Sequence, residues 1–563
     1  MKRLFSLVAG VVLIGNFLFA QTVDQGKKFF YYERFKSAKE TLEKVIAANP
    51  NDLNAVYWLG QTLIELKDSA AAKDLYSKAL QQNGNAPLLL AGMGQIELKE
   101  GKSADARQRF ETALSLTKNK DINIINAVGL ANIEPTAGDL QYAVDKLTMG
   151  TQLKDFKSPE TFMLLGSAYR RLIDGGNAVT SFNKAFTLDQ RLAAAKYQIG
   201  RVYLTQNNKE YFLPAFEEAV QIDPNYAPAW YQLYYYYYFR DVNKAAEYFD
   251  KYLAVADASP SNEYDKISIS YARKLYPEAI AAAQQKINTE GDKADPRYYK
   301  LIAYSYDETG DSTNAKKWME QYFAKQKPAE YVSKDYSFYA KLLGKFAQYE
   351  DAYKNYQSAI DTDTAMTVKL DLMKEASDLA KKSGDRKSQA VWLGKLIGMK
   401  KSPSNRDFYD WGFAHYQAAN YPTADSIFCG IYQSKYPNEI IGYLWCARSK
   451  QAQDDSVNSK GLAVDAYKML ADKARQIDSV RYKSQAIAAY FFLVQYYNDI
   501  AKDKPTAISY LDKVLEVDPA NADAMRFKDI LSKPARQAAP PPKPKTGTGA
   551  GAKTGAPPPA SKK

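Results

Sequence analysis

Three residues in this chain carry the side chains most often used for nucleophilic or metal chemistry: His415, Cys429 and Cys446, the only histidine and the only two cysteines among 563 residues. A lone histidine lacks the partners that a catalytic triad or a zinc site requires, so His415 reads as a packing residue. No phosphate-cradling loop and no nucleotide-binding glycine fingerprint occurs. The acidic residues are those of solvated helix faces rather than a paired constellation. The composition therefore points away from enzymes and names no catalytic residue, cofactor or metal. The two cysteines suggest something else. Each lies the same distance from the Pro437–Asn438 bond. In an antiparallel helix pair turning there they would face each other, with Cα atoms about 5.5–6 Å apart. Two readings stay open, a Cys429–Cys446 disulfide and two small buried thiols.

The elements that would position such residues are helices in a repeat. Phe162, Leu165, Gly166 and Tyr169 occupy one half of a unit running from Pro159 to Gln190. Ala178, Phe182 and Ala185 occupy the other, with Asp174, Gly175 and Gly176 between. The pattern returns 34 residues on, at Gly200, Tyr203, Phe216, Ala219 and Pro224, and after another 34 at Trp230, Leu233, Tyr237, Ala245, Phe249 and Tyr252. Gly60, Ala72, Tyr76 and Ala79 are matched by Gly94, Ala106, Phe110 and Ala113. Apolar residues at i, i+3, i+4 and i+7 give each helix one sticky face. A single hairpin cannot bury that face, but stacked neighbours can. About fourteen hairpins fit, with a closing helix near Ala520–Leu531.

Some units depart from the pattern. Phe212 stands where a small residue is expected, with Ala215 as compensation. Glu263–Thr289 reads as short, weak helices, Met366–Ile397 is poor in landmarks, and Asp454–Lys460 reads as an insertion. The expected divisions are 21–257, 258–400 and 401–532.

The ends differ from the body. Lys2 and Arg3 precede an apolar run from Leu4 to Phe19, then Ala20 and Gln21, the order of a cleaved export signal over 1–20. From Lys533 to Lys563 the chain is rich in Pro, Gly, Ala and Lys, with no aromatic or branched apolar residue, so a disordered tail is expected. That tail holds seven basic residues and no acidic one, and Lys2 and Arg3 add two more. Of the chain's net +12, residues 21–532 therefore carry only +3. A basic body suited to nucleic acid is excluded, and the tail is left as a spacer or a peripheral contact for an anionic envelope surface.

The spacing resembles the tetratricopeptide repeat (TPR) family, whose pattern sets Trp, Leu, Gly and Tyr on a first helix and Ala, Phe, Ala and Pro on a second. The resemblance implies an all-α, right-handed α-solenoid that binds protein or peptide partners. It also implies a concave groove lined from the first helix of each hairpin at its second, fifth, ninth, twelfth and thirteenth places. Carried onto this sequence, those places include Arg170, Arg171, Tyr197, Arg201, Tyr231, Tyr235, Tyr238, Phe239, Lys300 and Tyr304. Tyr234 and Tyr237 fall on packing places. The Lys/Asn arrangement with which some members clamp a terminal carboxylate is not recognisable. The resulting expectation is a scaffold or adaptor in the envelope or periplasm of a Gram-negative bacterium. A peptide- or glycan-binding carrier or sensor and an accessory chain of a separate enzyme or secretion machine are the alternatives.

Overall fold

A computed structural model describes residues 22–134, 136–455 and 459–533. The export signal and nearly all of the basic tail lie outside the described residues. Among those described there is no strand, and no helix is long and apolar enough to cross a membrane. The chain divides into two compact units, Met1–Lys325 and Gln326–Lys563. Neither expected division, near 258 and near 401, is a unit boundary.

Each unit is a stack of antiparallel helical hairpins. The first holds nine, from Val23–Tyr31 with Phe35–Ala48 to Arg297–Glu308 with Ser312–Lys325. The second holds five, beginning with Ser333–Lys345 and Tyr349–Thr362, and ends on the closing helix Ala522–Ser532. The fourteen hairpins and the terminal helix are those that the spacing predicts.

Local chemistry sets the helix ends. Ser158 accepts from the Thr161 N–H at 3.3 Å and Asp174 from the Asn177 N–H at 3.0 Å, each satisfying an orphan donor of a first turn. The turn inside this hairpin is tighter than its glycines suggest. Gly175 already begins the second helix, Gly175–Leu188, and the left-handed position is Ile173 (φ 63°). Lys67, Asn207 and Glu33 take the same conformation in their own turns.

Hairpins close through one recurring contact, a glycine on the first helix under a large side chain sixteen residues later. A Cβ on Gly60 would lie 2.1 Å from Tyr76 Cζ, and one on Gly166 would lie 2.5 Å from Phe182 Cε1. Gly94 and Phe110, Gly200 and Phe216, and Gly412 and Phe428 repeat it. The aromatic residue thus fills its own hairpin as well as the gap to the next, where Tyr76 also crowds Gly92.

Two irregular segments are better formed than their sequences suggest. Pro260–Ala272 and Tyr276–Glu290 are full helices of 13 and 15 residues, because buried Ile267, Ala279 and Ala283 supply the face that the landmark pattern lacks. Met366–Ser383 reaches 18 residues on Leu372, Met373, Ala376 and Ala380. Phe212 is accommodated by burial against Phe216 and Tyr236. In the expected insertion, Asp454 accepts from the Lys460 and Leu462 N–H groups, and residues 456–458 lie outside the description.

Candidate functional site

Along the first unit the inner wall changes character. In Leu53–Glu65, Pro87–Lys99 and Ile122–Ile133, ten consecutive residues of each helix are buried: 55–64, 89–98 and 124–133. These helices are apolar or small all round, so both their faces are used for packing. Several of their polar groups are matched internally, while Tyr57 Oη and Gln95 Oε1 are buried without a hydrogen-bond partner. Gln61 Nε2 donates to Tyr76 Oη (3.2 Å), Asn132 Nδ2 to the Val128 carbonyl (2.9 Å), and Arg109 pairs with Glu97 at 2.7 Å. From Pro159–Arg171 onward only one face is buried, and the wall opens.

The open wall is where the predicted groove residues fall, but they do not form one surface. Tyr235 is 59% exposed and Phe239 75%, with ring centroids 6.4 Å apart at the end of Ala227–Tyr238. Tyr238 lies against Tyr234 and donates to the Ser268 carbonyl at 3.2 Å, so it is half committed to packing. Tyr234 is buried and Tyr237 packs on Tyr248. Tyr197 is 3% exposed, between Phe216 and Tyr226, which makes it a floor rather than an exposed contact. Arg201 lies over the Tyr197 ring at 5.8 Å. Arg170 is half-buried, its Nε shielded without a hydrogen-bond partner, beside the half-buried Arg171. Lys300 sits 4.8 Å over Tyr322 and Tyr304 near Tyr271, away from the Tyr235 pair in sequence and in their own hairpin.

The 34-residue pattern does not reveal what covers part of this wall: the chain's own first hairpin. Stacking brings residues 27–37 against loops more than a hundred residues away. Lys27 pairs with Glu160 at 2.7 Å and the Tyr31 hydroxyl donates to the same carboxylate at 2.5 Å. Tyr32 donates to Asp223, and their neighbours Lys28 and Tyr226 complete the contact. Asp257 accepts from the Lys36 and Ser37 N–H groups at 2.8 and 3.1 Å and meets Arg34 at 3.4 Å. Arg34 offers no side-chain cap for Phe35–Ala48, so Asp257 caps that helix from 220 residues away. Burial pushes the Asp223 carboxyl up, but the Tyr32 hydroxyl, the Asn225 N–H and Lys28 together hold it below the usual carboxylate range.

Two clefts remain beside this closure. One, of about 340 Å³, lies between residues 32–36 and Tyr197, Tyr231, Gln232 and Tyr252. The other, of about 260 Å³, is lined by Lys27, Asn54, Tyr57, Asn123, Asn126 and Glu160. Asn54, Tyr57, Asn123 and Asn126 occupy the second and fifth places of their helices. The rule that located Tyr197 and Tyr231 finds them as well when applied to the earlier hairpins.

In the second unit, Cys429 and Cys446 form a disulfide with Cα atoms 4.9 Å apart, closer than the expected spacing. Cys429 lies in a π-helical turn, Ser426–Tyr432, and Asp425 Oδ1 is 2.6 Å from its Sγ. Asp425, Cys429 and Cys446 are the one group among the described residues with metal-ligand atoms this close together. The sulfurs are bonded to each other and Lys450 pairs with the carboxylate at 3.1 Å, so this set does not suit a cation. His415 packs edge-on to Trp411, with Asn420 Nδ2 at 3.2 Å from its Nδ1, and burial lowers its pKa.

Residues 30–96 and 193–226 each match a tetratricopeptide repeat family profile. A chloroplastic PsbB mRNA maturation factor, Mbb1 of Chlamydomonas reinhardtii, is 30% identical over 95 residues, which are 17% of this chain and 14% of that factor. The chain thus matches about a seventh of that relative's length. Among solved structures, the C-terminal part of a TPR repeat-containing protein from Cytophaga hutchinsonii is 29% identical, with a TM-score of 0.26, and the match covers 47% of this chain and 98% of that one. A tetratricopeptide repeat protein from Parabacteroides merdae is 18% identical over 52% of this chain and 98% of its own, with a TM-score of 0.28.

Proposed function

We propose that this chain, a tetratricopeptide repeat protein and so built on an interaction-scaffold fold, is a non-enzymatic adaptor of the bacterial cell envelope that holds protein partners on the open wall of its first unit. The observation that carries this reading is the Tyr235–Phe239 pair. Two large rings stand adjacent and exposed on a helix end, in a chain that leaves few other described aromatic residues exposed. Tyrosine and phenylalanine presented this way supply large contact area at low entropic cost. Export rests on Lys2, Arg3 and the apolar run to Phe19, and predicts a mature chain beginning at Gln21. The tail from Lys533 adds a salt-sensitive contact with an anionic envelope surface.

Affinity capture from envelope fractions, with partners identified by mass spectrometry, tests the reading. Tyr235→Ala combined with Phe239→Ala is expected to abolish a specific co-purifying protein while leaving the helical content and melting curve unchanged. Capture of the same partner by the double variant would remove the open wall from the function. N-terminal sequencing of the fractionated protein checks export, and an intact Met1 in a cytosolic fraction would refute it.

A further inference from the structure

The larger cleft is lined by a carboxylate that makes no ion pair within the fold. Glu33 sits exposed at the turn of the first hairpin, and among the described residues no hydrogen bond or ion pair reaches it. Tyr197, Tyr231, Gln232 and Tyr252 line the same cleft. The cations nearest the mouth are engaged elsewhere. Arg34 lies 4.5 Å over the Phe29 ring and 3.4 Å from Asp257, and Lys36 Nζ donates to the Ala258 carbonyl at 2.8 Å. Arg201 stays over Tyr197 and makes no ion pair with Glu33. A carboxylate in a ring-lined cleft and without an ion-pair partner is stabilised by an incoming cation.

The same hairpin shows which groups fill such a place. The Lys27 ammonium lies 2.7 Å from Glu160, 4.9 Å from the Trp58 centroid and 5.9 Å from that of Tyr31. Lys28 lies 5.0 Å over Tyr32 and 3.6 Å from Asp223. In both, a carboxylate supplies the charge and a ring face supplies its negative quadrupole. The Glu33 cleft has both parts, its own Arg34 and Lys36 are held by other groups, and at about 340 Å³ it is of ligand-pocket size.

We infer that the Glu33 cleft is a subsite for a lysine or arginine side chain of a bound partner polypeptide. Glu33 accepts from the ammonium or guanidinium, and Tyr231 and Tyr252 flank the aliphatic stem. The inference rests on the protein-binding reading above and narrows it to partners with an exposed basic residue.

Calorimetric titration of the full chain with capped pentapeptides Gly-Ser-Xaa-Ser-Gly, Xaa being Arg, Lys, Gln or Glu, tests it. The Arg and Lys peptides are expected to bind about tenfold tighter than the Gln peptide, the worth of one charge-assisted contact. Glu33→Gln should erase that difference, and Glu33→Lys should turn the preference toward the Glu peptide. Because Glu33 is exposed on a turn, both variants should melt as the parent does. Equal binding of the Arg and Gln peptides, or a basic preference that survives both variants, would overturn the subsite. No measurable binding of any peptide would overturn it too, leaving the scaffold reading to the Tyr235/Phe239 capture experiment.

Discussion

Hairpins two to four and hairpins five to eight of the first unit share one repeat, and Gly60, Gly94, Gly166 and Gly200 close four of them alike, yet they end up with different inner walls. In the former, Val56, Leu90, Ile125 and their neighbours are buried, and the wall keeps only the cleft at Asn54, Tyr57, Asn123 and Asn126. In the latter, the first helices bury one face and present Arg170, Arg201, Tyr231, Tyr235 and Phe239 on the other. A repeat unit therefore sets how a hairpin closes, and the residues outside the repeat's landmarks set whether its inner face is core or surface. A TPR-like array is not a groove along its whole length. The closed segment is core, and the open one presents side chains to solvent.

The contrast makes its strongest claim about burial. Leu130→Asp places a charge on a buried wall at the ninth place of its helix and should destabilise the first unit by about 4 kcal/mol or more in chemical denaturation. Tyr235→Asp at the equivalent face of the open segment should change stability by less than about 0.5 kcal/mol. Similar losses for the two would break the comparison.

The second unit also joins two successive hairpins covalently. Separating Cys429 from Cys446, 17 residues apart, by Cys446→Ala should cost about 3 kcal/mol through the loop that the disulfide no longer restricts. Non-reducing mass spectrometry that found two free thiols would remove this effect entirely.

The first hairpin's closure onto the open wall is polar and correspondingly weaker. Asp257→Ala should cost about 1 kcal/mol, the worth of a helix cap, and should speed amide exchange at the start of Phe35–Ala48. Protection unchanged there would show that Asp257 is not the cap.

The smallest expected effect is a pH dependence at Asp223. Its carboxyl is held below the ordinary range in the folded state, so it releases its proton more readily there than in the unfolded chain. Its contribution is complete above the ordinary carboxylate pKa and is lost as the pH falls through the lower folded value. Asp223→Asn should flatten that acid limb of the stability curve, and an unchanged acid limb would assign it to other groups.

Much of this was legible from residue spacing. The glycine and the aromatic residue sixteen places on, Gly166 and Phe182 for example, are local to one hairpin, and their period counts the hairpins and locates the closing helix. The all-round apolar character of 124–133 was equally readable as a sign of a closed wall, although the landmark pattern alone does not use it. Tyr197 shows the opposite case. Its place on the helix is that of a groove residue, but Tyr226 and the first hairpin make it a floor. The irregular helix pair at 260–290 was obscured because its packing comes from alanines and isoleucines off the landmark places.

The sequence by itself determined the all-helical repeat, the number of hairpins and the residues that lock each one, because those contacts span a few turns of chain and recur with a fixed period. It also brought Cys429 and Cys446 to equal distances from their turn. Only the tertiary structure decided that Lys27, Tyr32 and Ser37 would meet Glu160, Asp223 and Asp257. Those meetings depend on small rotations between successive hairpins accumulating over several of them. No 34-residue window contains that sum, and it decides which part of the open wall the first hairpin covers.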